Sequence, residues 1–163
     1  MSERELLELV GTVEVPSLEL FDVPSHIVVM LPEKRRTAEV PIGSMGPNAL
    51  RLVGACTEPE PAVATTILRV HRLCRISTIG DILAALGGED VVRVTWGQMY
   101  WFLADRNRPQ RDEWYLFCPS PVWAVCCRWD SGRGGWIVLA YPVAVPLAWL
   151  AGCQVVSRDS VGL

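Results

Sequence analysis

The chain has 163 residues, a net charge of −3 and 50% hydrophobic residues, and its length suits one ordinary domain. Such an apolar chain is not intrinsically disordered, because disorder requires low hydrophobicity together with a high net charge. The slightly acidic balance also excludes a general electrostatic attraction to nucleic acid or to anionic lipid. The apolar content is at the upper end for a water-soluble domain, so the location of the excess apolar surface is the first question.

The N-terminal third is acidic and rich in proline. Residues 1–61 hold ten acidic and five basic side chains, and seven of the twelve prolines fall within residues 1–62. Because proline interrupts strand pairing, the apolar runs between these prolines predict short strands separated by turns. The predicted strands are Thr12–Val15, His26–Leu31, Ala38–Ile42 and Leu50–Cys56.

A charged, proline-rich segment follows these strands. Glu58-Pro59-Glu60-Pro61 is expected to be extended, because a residue that precedes proline avoids the helical region. The segment is interpreted either as a surface loop or as a linker that subdivides the chain near residues 57–62.

A strand with a basic face is predicted from Thr65 to Ile76. Alternate residues of a strand point to opposite faces, and Arg69, His71 and Arg75 share one parity. Apolar residues dominate the other parity, so the three basic residues are expected to form a stripe on the face opposite the apolar one.

Two helices are predicted in the middle of the chain, because each begins with a capping pattern. Thr78 with Asp81, and Thr95 with Gln98, place a hydroxyl at the N-cap and an acceptor three residues later. Apolar residues then recur at helical spacing in both segments. Two glycines end the first helix, and an Asn-Arg-Pro turn ends the second.

The C-terminal third predicts an antiparallel meander. The segment Asp130–Gly135 suits a hairpin loop rather than a phosphate-binding loop, because a strand follows it and not a helix. Trp123 and Trp129 share one face of the strand before this loop. The predicted strands are Trp114–Cys118, Val122–Trp129, Trp136–Tyr141 and Cys153–Arg158.

One uncharged stretch, residues 134–153, has the length of a transmembrane helix. Pro142 and Pro146 lie in its middle, and each removes a helical hydrogen bond. We therefore predict a strand, a loop and a short helix at Leu147–Leu150, and no membrane partner. The acidic start of the chain lacks the pattern of a secretory signal, so a cytoplasmic location is expected.

The six cysteines are expected to be free thiols in a reducing compartment. Neither a C-x-x-C nor an H-x-x-x-H pattern occurs, and Cys126 and Cys127 point to opposite faces of one predicted strand. We therefore predict no metal ligands, no catalytic residues and no cofactor. A thiol–imidazole pair that the fold brings together, such as Cys118 with His71, stays open.

Five segments of the chain resemble an uncharacterised family of small hypothetical proteins that is associated with candidate-phyla (Parcubacteria-type) bacteria. The resemblance covers most of the chain after residue 11, and it implies no known activity. It also implies a more polar stretch at 141–152, from which this apolar chain departs. The segments that carry it are Ala64–Arg69, Ile82–Glu89, Thr95–Leu103, Val122–Tyr141 and Ala151–Arg158.

Together these elements predict a single α+β domain over residues 1–163. Short N-terminal strands lead to two central helices, which pack on a C-terminal antiparallel β-meander.

The predicted function is that of a non-enzymatic binding or regulatory module, because the chain shows surplus apolar surface and no catalytic pattern. The expected partner is another protein or a second copy of the chain. One alternative is nucleic-acid association through arginine clusters and tryptophans. Another is an enzyme with an unrecognised cysteine or carboxylate site. The candidate binding surface is Arg69, His71, Arg75, Trp123 and Trp129.

Overall fold

A seven-stranded mixed sheet runs through the computed structural model, which describes residues 5–106 and 113–158. The strands in chain order are β1 Leu7–Val15, β2 Ile42–Met45, β3 Thr66–Leu73, β4 Ser77–Thr78, β5 Trp114–Phe117, β6 Trp123–Asp130, β7 Gly135–Pro142, β8 Ala148–Trp149 and β9 Gln154–Arg158. The helices are α1 Val23–His26, α2 Pro32–Arg35, α3 Pro47–Gly54, α4 Ile79–Leu86, α5 Glu89–Val92 and α6 Trp96–Asp105.

The order of the strands in the sheet is β1-β3-β9-β5-β6-β7-β2, and β4 pairs separately with β8. Neighbouring strands of the large sheet are antiparallel, except for the parallel pairs β5–β9 and β2–β7. Strands make up 38% and helices 26% of the residues that the structure describes. The predicted arrangement of two helices packed on a C-terminal meander is therefore wrong.

The position of β9 explains this error. The prediction continued the meander from β7 into the last strand, whereas β9 lies between β3 and β5, in the middle of the sheet. Four of its five residues are buried, including Gln154 and Ser157. A strand that is covered on both faces belongs in the interior of a sheet, and the edge position beside β7 is taken by β2.

Several local predictions are confirmed. The strand predicted over 65–76 is β3, and β5, β6 and β7 form the antiparallel meander, with Trp129 opposite Trp136 across the hairpin. Thr78 accepts a hydrogen bond from the backbone N–H of Asp81 at 3.3 Å, and α4 ends at Gly87 with φ of 101°. Such a positive φ favours glycine because it has no side chain.

The capping box of α6 forms as predicted. The Thr95 hydroxyl accepts from the backbone N–H of Gln98 at 3.1 Å, and the Gln98 side chain accepts from the backbone N–H of Thr95 at 3.0 Å. Residues 107–109, where the turn after this helix was predicted, lie outside the described residues.

Other local predictions are wrong. Residues 50–54 belong to helix α3, because Pro47 in its first turn favours a helix start and Ala49 and Val53 bury one face. His26–Leu31 is not a strand, since His26 ends α1 and irregular backbone follows. The helix expected at Leu147–Leu150 is replaced by β8, which pairs with β4.

Side chains from the two faces of the sheet enter two separate cores. One face packs against α1, α3 and α6, and we call it the α6 face. The opposite face packs against α4, α5 and β8, and we call it the α4 face. Alternate residues of the central strands divide between the cores, so Phe117 and Val125 face α6 while Leu116 and Cys126 face α4. As predicted, Cys127 lies on the face opposite Cys126.

The segment around Glu60 is tied to two other parts of the chain. Its backbone pairs with that of Phe21, with N···O distances of 2.8 and 3.1 Å. Its carboxylate accepts from the backbone N–H groups of Trp96 and Gly97 at 2.9 and 2.8 Å, at the N-terminus of α6. Burial raises the pKa of Glu60 above its ordinary value, although these two hydrogen bonds act in the opposite direction.

The uncharged stretch from 134 to 153 forms β7, a loop and β8. Among the described residues, no helix has the length and apolar character that a membrane crossing requires.

Candidate functional site

An apolar cavity of about 390 Å³ opens on the α4 face of the sheet. The strands β5, β6 and β7 and the segment 147–153 supply its walls. Six of its lining residues present aromatic rings, one aliphatic side chain and two thiols to this space. These are Trp114, Cys126, Leu139, Tyr141, Trp149 and Cys153. We call this space the apolar cavity.

The pairing of the strands determines which side chains form the floor of the apolar cavity. Cys126 on β6 lies opposite Leu139 on β7. The ring of Tyr141 meets Trp149 on β8 edge to face, with 5.7 Å between the ring centroids. Gly152 turns the chain back toward β9 with φ of 95°, and its N–H donates to the carbonyl of Leu73 at 2.7 Å. This hydrogen bond attaches the wall of the cavity to β3, and the pairing of β8 with β4 attaches it to β4.

The rim of the apolar cavity exposes large apolar side chains. Leu150 is 69% exposed and Leu147 is 36% exposed, and both line the cavity. Val145, which is 48% exposed, lies on the same loop. Several exposed apolar side chains beside a cavity are typical of a binding site rather than of a plain surface.

Glu113 supplies the one charge among the described residues that line the apolar cavity. Its Oε2 accepts from the side-chain amide of Gln154 at 2.7 Å and from the hydroxyl of Tyr115 at 3.5 Å. The carboxylate is therefore held in place by two strands, and it gives the rim a negative charge.

The thiols near the apolar cavity are poor nucleophiles. Burial raises the pKa of both Cys126 and Cys153 to about 12, and it does the same for Cys118 just after β5. Because the thiolate is the nucleophilic form, a catalytic cysteine needs a lowered pKa. The geometry therefore gives no support to a thiol enzyme at these positions.

All six cysteines are free, and no group of three or more metal-ligating side chains converges within residues 5–106 and 113–158.

The predicted basic stripe lies on the α4 face and is only partly exposed. Arg69 and His71 are half-buried, and Arg75 is exposed beyond the end of β3. Burial lowers the pKa of His71, and the charge of Arg69 lowers it further. The Nδ1 atom of His71 is buried and has no hydrogen-bond partner among the described residues.

The predicted tryptophans lie on the other face of the sheet. Trp129 is 6% exposed, and its ring meets that of Trp136 edge to face at 5.5 Å. Trp123 is half-buried and packs against the same core. The structure therefore separates the five predicted surface residues into two groups, with the sheet between them.

Arg106, Arg108 and Arg111 form a second arginine cluster in the sequence, and of these only Arg106 lies within the described residues. The guanidinium of Arg106 lies 3.8 Å from the centre of the Phe102 ring. The flat face of this guanidinium is therefore covered by the Phe102 ring, at a favourable cation–π distance.

The apolar cavity was missed by sequence reasoning, although a signal was present. The uncharged stretch 134–153 includes the rim of the cavity, but it does not indicate which other segments of the chain complete the cavity. The second signal is the small side chain of Cys126, which lines the apolar cavity from β6. Small residues on one face of a strand leave space there.

No protein-family profile, no curated protein and no solved structure matches this chain.

Proposed function

We propose that this protein is a non-enzymatic binding module whose apolar cavity takes an apolar side chain from a protein partner. The observation that carries the proposal is the cavity of about 390 Å³, flanked by the exposed Leu147 and Leu150 on the two sides of β8. Cavities of roughly 300–1,000 Å³ accommodate ligands in proteins, so the space suits one or two side chains.

The exposed rim favours a protein over a small molecule. A small apolar molecule inside the cavity would leave Leu150 and Val145 in water, because both side chains project outside it to a large extent. A peptide segment that inserts one side chain covers the rim with its neighbouring residues. Burial of a leucine side chain contributes about 1.5–3 kcal/mol, so covering the rim adds to the affinity.

The charge at the rim indicates which partner sequence fits. Glu113 is acidic, and no basic side chain of the described residues lines the apolar cavity. A partner segment with a lysine or arginine next to its apolar side chain complements this charge. A second copy of this chain is a weaker fit. In a symmetric contact the rim of one copy faces the rim of the other, which carries the same acidic Glu113.

A selection from a displayed library of random peptides tests the proposal. We expect the wild-type protein to enrich peptides that carry an apolar residue beside a basic one. Leu150→Glu should weaken binding of a selected peptide by about tenfold or more, since it replaces a rim contact with a charge. Glu113→Gln should weaken it by a smaller factor.

Leu20→Glu is the matched control, because Leu20 and Leu150 are both 69% exposed and Leu20 lies outside the apolar cavity. This variant should bind the selected peptide like the wild type. Peptides that bind the wild type and the Leu150→Glu variant equally well would contradict the proposal. Light scattering after size-exclusion chromatography adds a second arm. A dimer that Leu150→Glu abolishes and Leu20→Glu preserves would overturn the assignment of the site to a different protein.

A further inference from the structure

A second cavity, distinct from the apolar one, lies where α2 meets the hairpin loop between β6 and β7. Its volume is about 900 Å³ and it is open to solvent. Among the described residues, three charged side chains line it, and all three are arginines: Arg35 and Arg36 at the end of α2, and Arg133 in the hairpin loop. We call this space the arginine cavity.

The fold brings together arginines from two distant segments of the chain. The parallel pairing of β2 with β7 places Gly43 beside Gly135. A Cβ atom on Gly43 would lie 2.8 Å from Nη1 of Arg35 and 3.7 Å from Cβ of Arg133. The missing side chain of Gly43 therefore allows the Arg35 guanidinium to rest on the backbone of β2, next to the base of Arg133.

An acidic group of the hairpin next to the arginine cavity, Asp130, is already used by the loop. Oδ1 of Asp130 accepts from the backbone N–H groups of Gly132 and Arg133 at 3.0 and 3.3 Å. Oδ2 of Asp130 lies 3.6 Å from Nε of Arg133. Asp130 thus shapes the loop and balances one of the three positive charges, so the arginines and Asp130 together leave a charge of +2.

The remaining charges of α2 do not alter this balance. Glu33 and Lys34 have opposite charges, and neither lines the arginine cavity. The Nε atom of Arg35 is buried and has no hydrogen-bond partner among the described residues. Holding like charges close together with an unpartnered donor costs free energy unless an anion is bound.

We propose that the arginine cavity binds a phosphate group of an organic phosphate or diphosphate. Guanidinium groups match the oxygens of phosphate through paired N–H donors, which makes arginine the preferred side chain for this recognition. The cavity is larger than inorganic phosphate requires, so the ligand carries further atoms beyond its phosphate group. This site is independent of the apolar cavity, and its failure would leave the peptide-binding proposal standing.

Calorimetric titration of the full chain with inorganic pyrophosphate tests the proposal. Ionic strength is held constant with chloride, so that general screening is the same at every point. We expect saturable binding with one site. Removing both exposed guanidinium groups in Arg36→Gln/Arg133→Gln should weaken binding by about a hundredfold, at about tenfold for each charge-assisted contact.

The matched control is Arg51→Gln/Arg72→Gln, which removes the same charge from exposed arginines outside the arginine cavity. We expect this variant to bind pyrophosphate like the wild type. Sedimentation with phosphatidylcholine vesicles, with and without phosphatidic acid, separates a lipid phosphate from a soluble one. Vesicle binding that needs phosphatidic acid and the two cavity arginines would assign the phosphate to a lipid headgroup. Absence of both kinds of binding, or equal losses in the two double variants, would overturn the proposal.

Discussion

The two faces of the central sheet bury apolar surface in different ways. On the α6 face, the rings of Tyr115, Phe117, Trp129 and Trp136 fill the space under α6. On the α4 face, the same strands present Ala124 and Cys126, and Cys153 lies beside them. Large aromatic side chains fill one face, whereas on the other face the apolar cavity stays open between the strands β5, β6 and β7 and the segment 147–153. High apolar content therefore gives a packed core on one side and a candidate binding site on the other.

Truncating an aromatic ring on the α6 face should have the largest effect. Phe102 is fully buried, and its ring meets those of Tyr115 and Phe117 at centroid distances of 5.3 and 5.4 Å. Phe102→Ala should lower the free energy of unfolding by about 3–5 kcal/mol, because it leaves a void in close packing. Denaturation in urea measures this loss. A loss below about 2 kcal/mol would show that the α6 face is packed as loosely as the α4 face.

The next largest effect is expected where β7 pairs with β2 at one edge of the sheet. A Cβ on Gly135 would lie 2.8 Å from the backbone nitrogen of Gly43 and 3.1 Å from the carbonyl oxygen of Pro41. Backbone atoms cannot move aside, so Gly135→Ala should cost about 2–3 kcal/mol by overpacking.

Gly54→Ala is the control for this substitution, because a Cβ on Gly54 at the end of α3 meets nothing within 4 Å. Thermal unfolding should show Gly54→Ala to be at least as stable as the wild type, since alanine favours the helix. Equal losses in both variants would contradict the close approach of β2 and β7.

A smaller effect is expected at the start of α6. Glu60→Ala removes the acceptor of two backbone N–H groups and should cost about 1–2 kcal/mol, as other N-terminal caps do. Glu60→Gln retains an acceptor and should cost less. Urea denaturation at neutral pH measures both values, and an unchanged Glu60→Ala variant would show that this cap is not needed on the α6 face.

The same residue gives a pH dependence with a definite sign. The pKa of Glu60 is raised in the folded protein, so the folded state binds the proton more tightly than the unfolded state. The free energy of unfolding of the wild type, relative to Glu60→Gln, should therefore fall as the pH rises from the ordinary pKa of 4.5 through the raised value. Above that range the difference should be constant. A difference that grows with rising pH would contradict the direction of the shift.

The smallest effect is expected on the wall of the apolar cavity. The indole Nε1 of Trp149 is buried without a hydrogen-bond partner among the described residues. Trp149→Phe removes this donor, and the gain should offset the lost contacts to within about 0.5 kcal/mol. Trp136→Phe on the α6 face should cost about 1–3 kcal/mol, because that site is filled completely. Equal thermal shifts in the two variants would remove the distinction between the faces.

Local signals explain which elements were predictable. The starts of α4 and α6 depend on hydroxyl caps within three residues of Thr78 and Thr95, so the sequence window contains the whole interaction. The β6–β7 hairpin is equally local, because a loop of four residues joins its strands. Helix α3 was mistaken for a strand, since its short apolar run shows no clear period in isolation.

Neither cavity follows from such local signals. The apolar cavity combines β5, β6 and β7 with the segment after β8, and the arginine cavity joins residues 35 and 133. The hairpin loop was correctly predicted to join two strands. Arg133 of this loop comes close to Arg35 only because β2 pairs with β7. No residue near Arg133 in the chain specifies that pairing.

The sequence by itself determined the capped helices, the hairpin and the interruption of the uncharged stretch 134–153 by two prolines, because hydrogen bonds and backbone restrictions within a few residues decide each of them. Tertiary structure alone decided where the last strand lies and which apolar side chains stay uncovered. Strand order depends on which strands are covered on both faces, and coverage is a property of the whole chain. The high apolar content proved to be divided between a filled face and an open one.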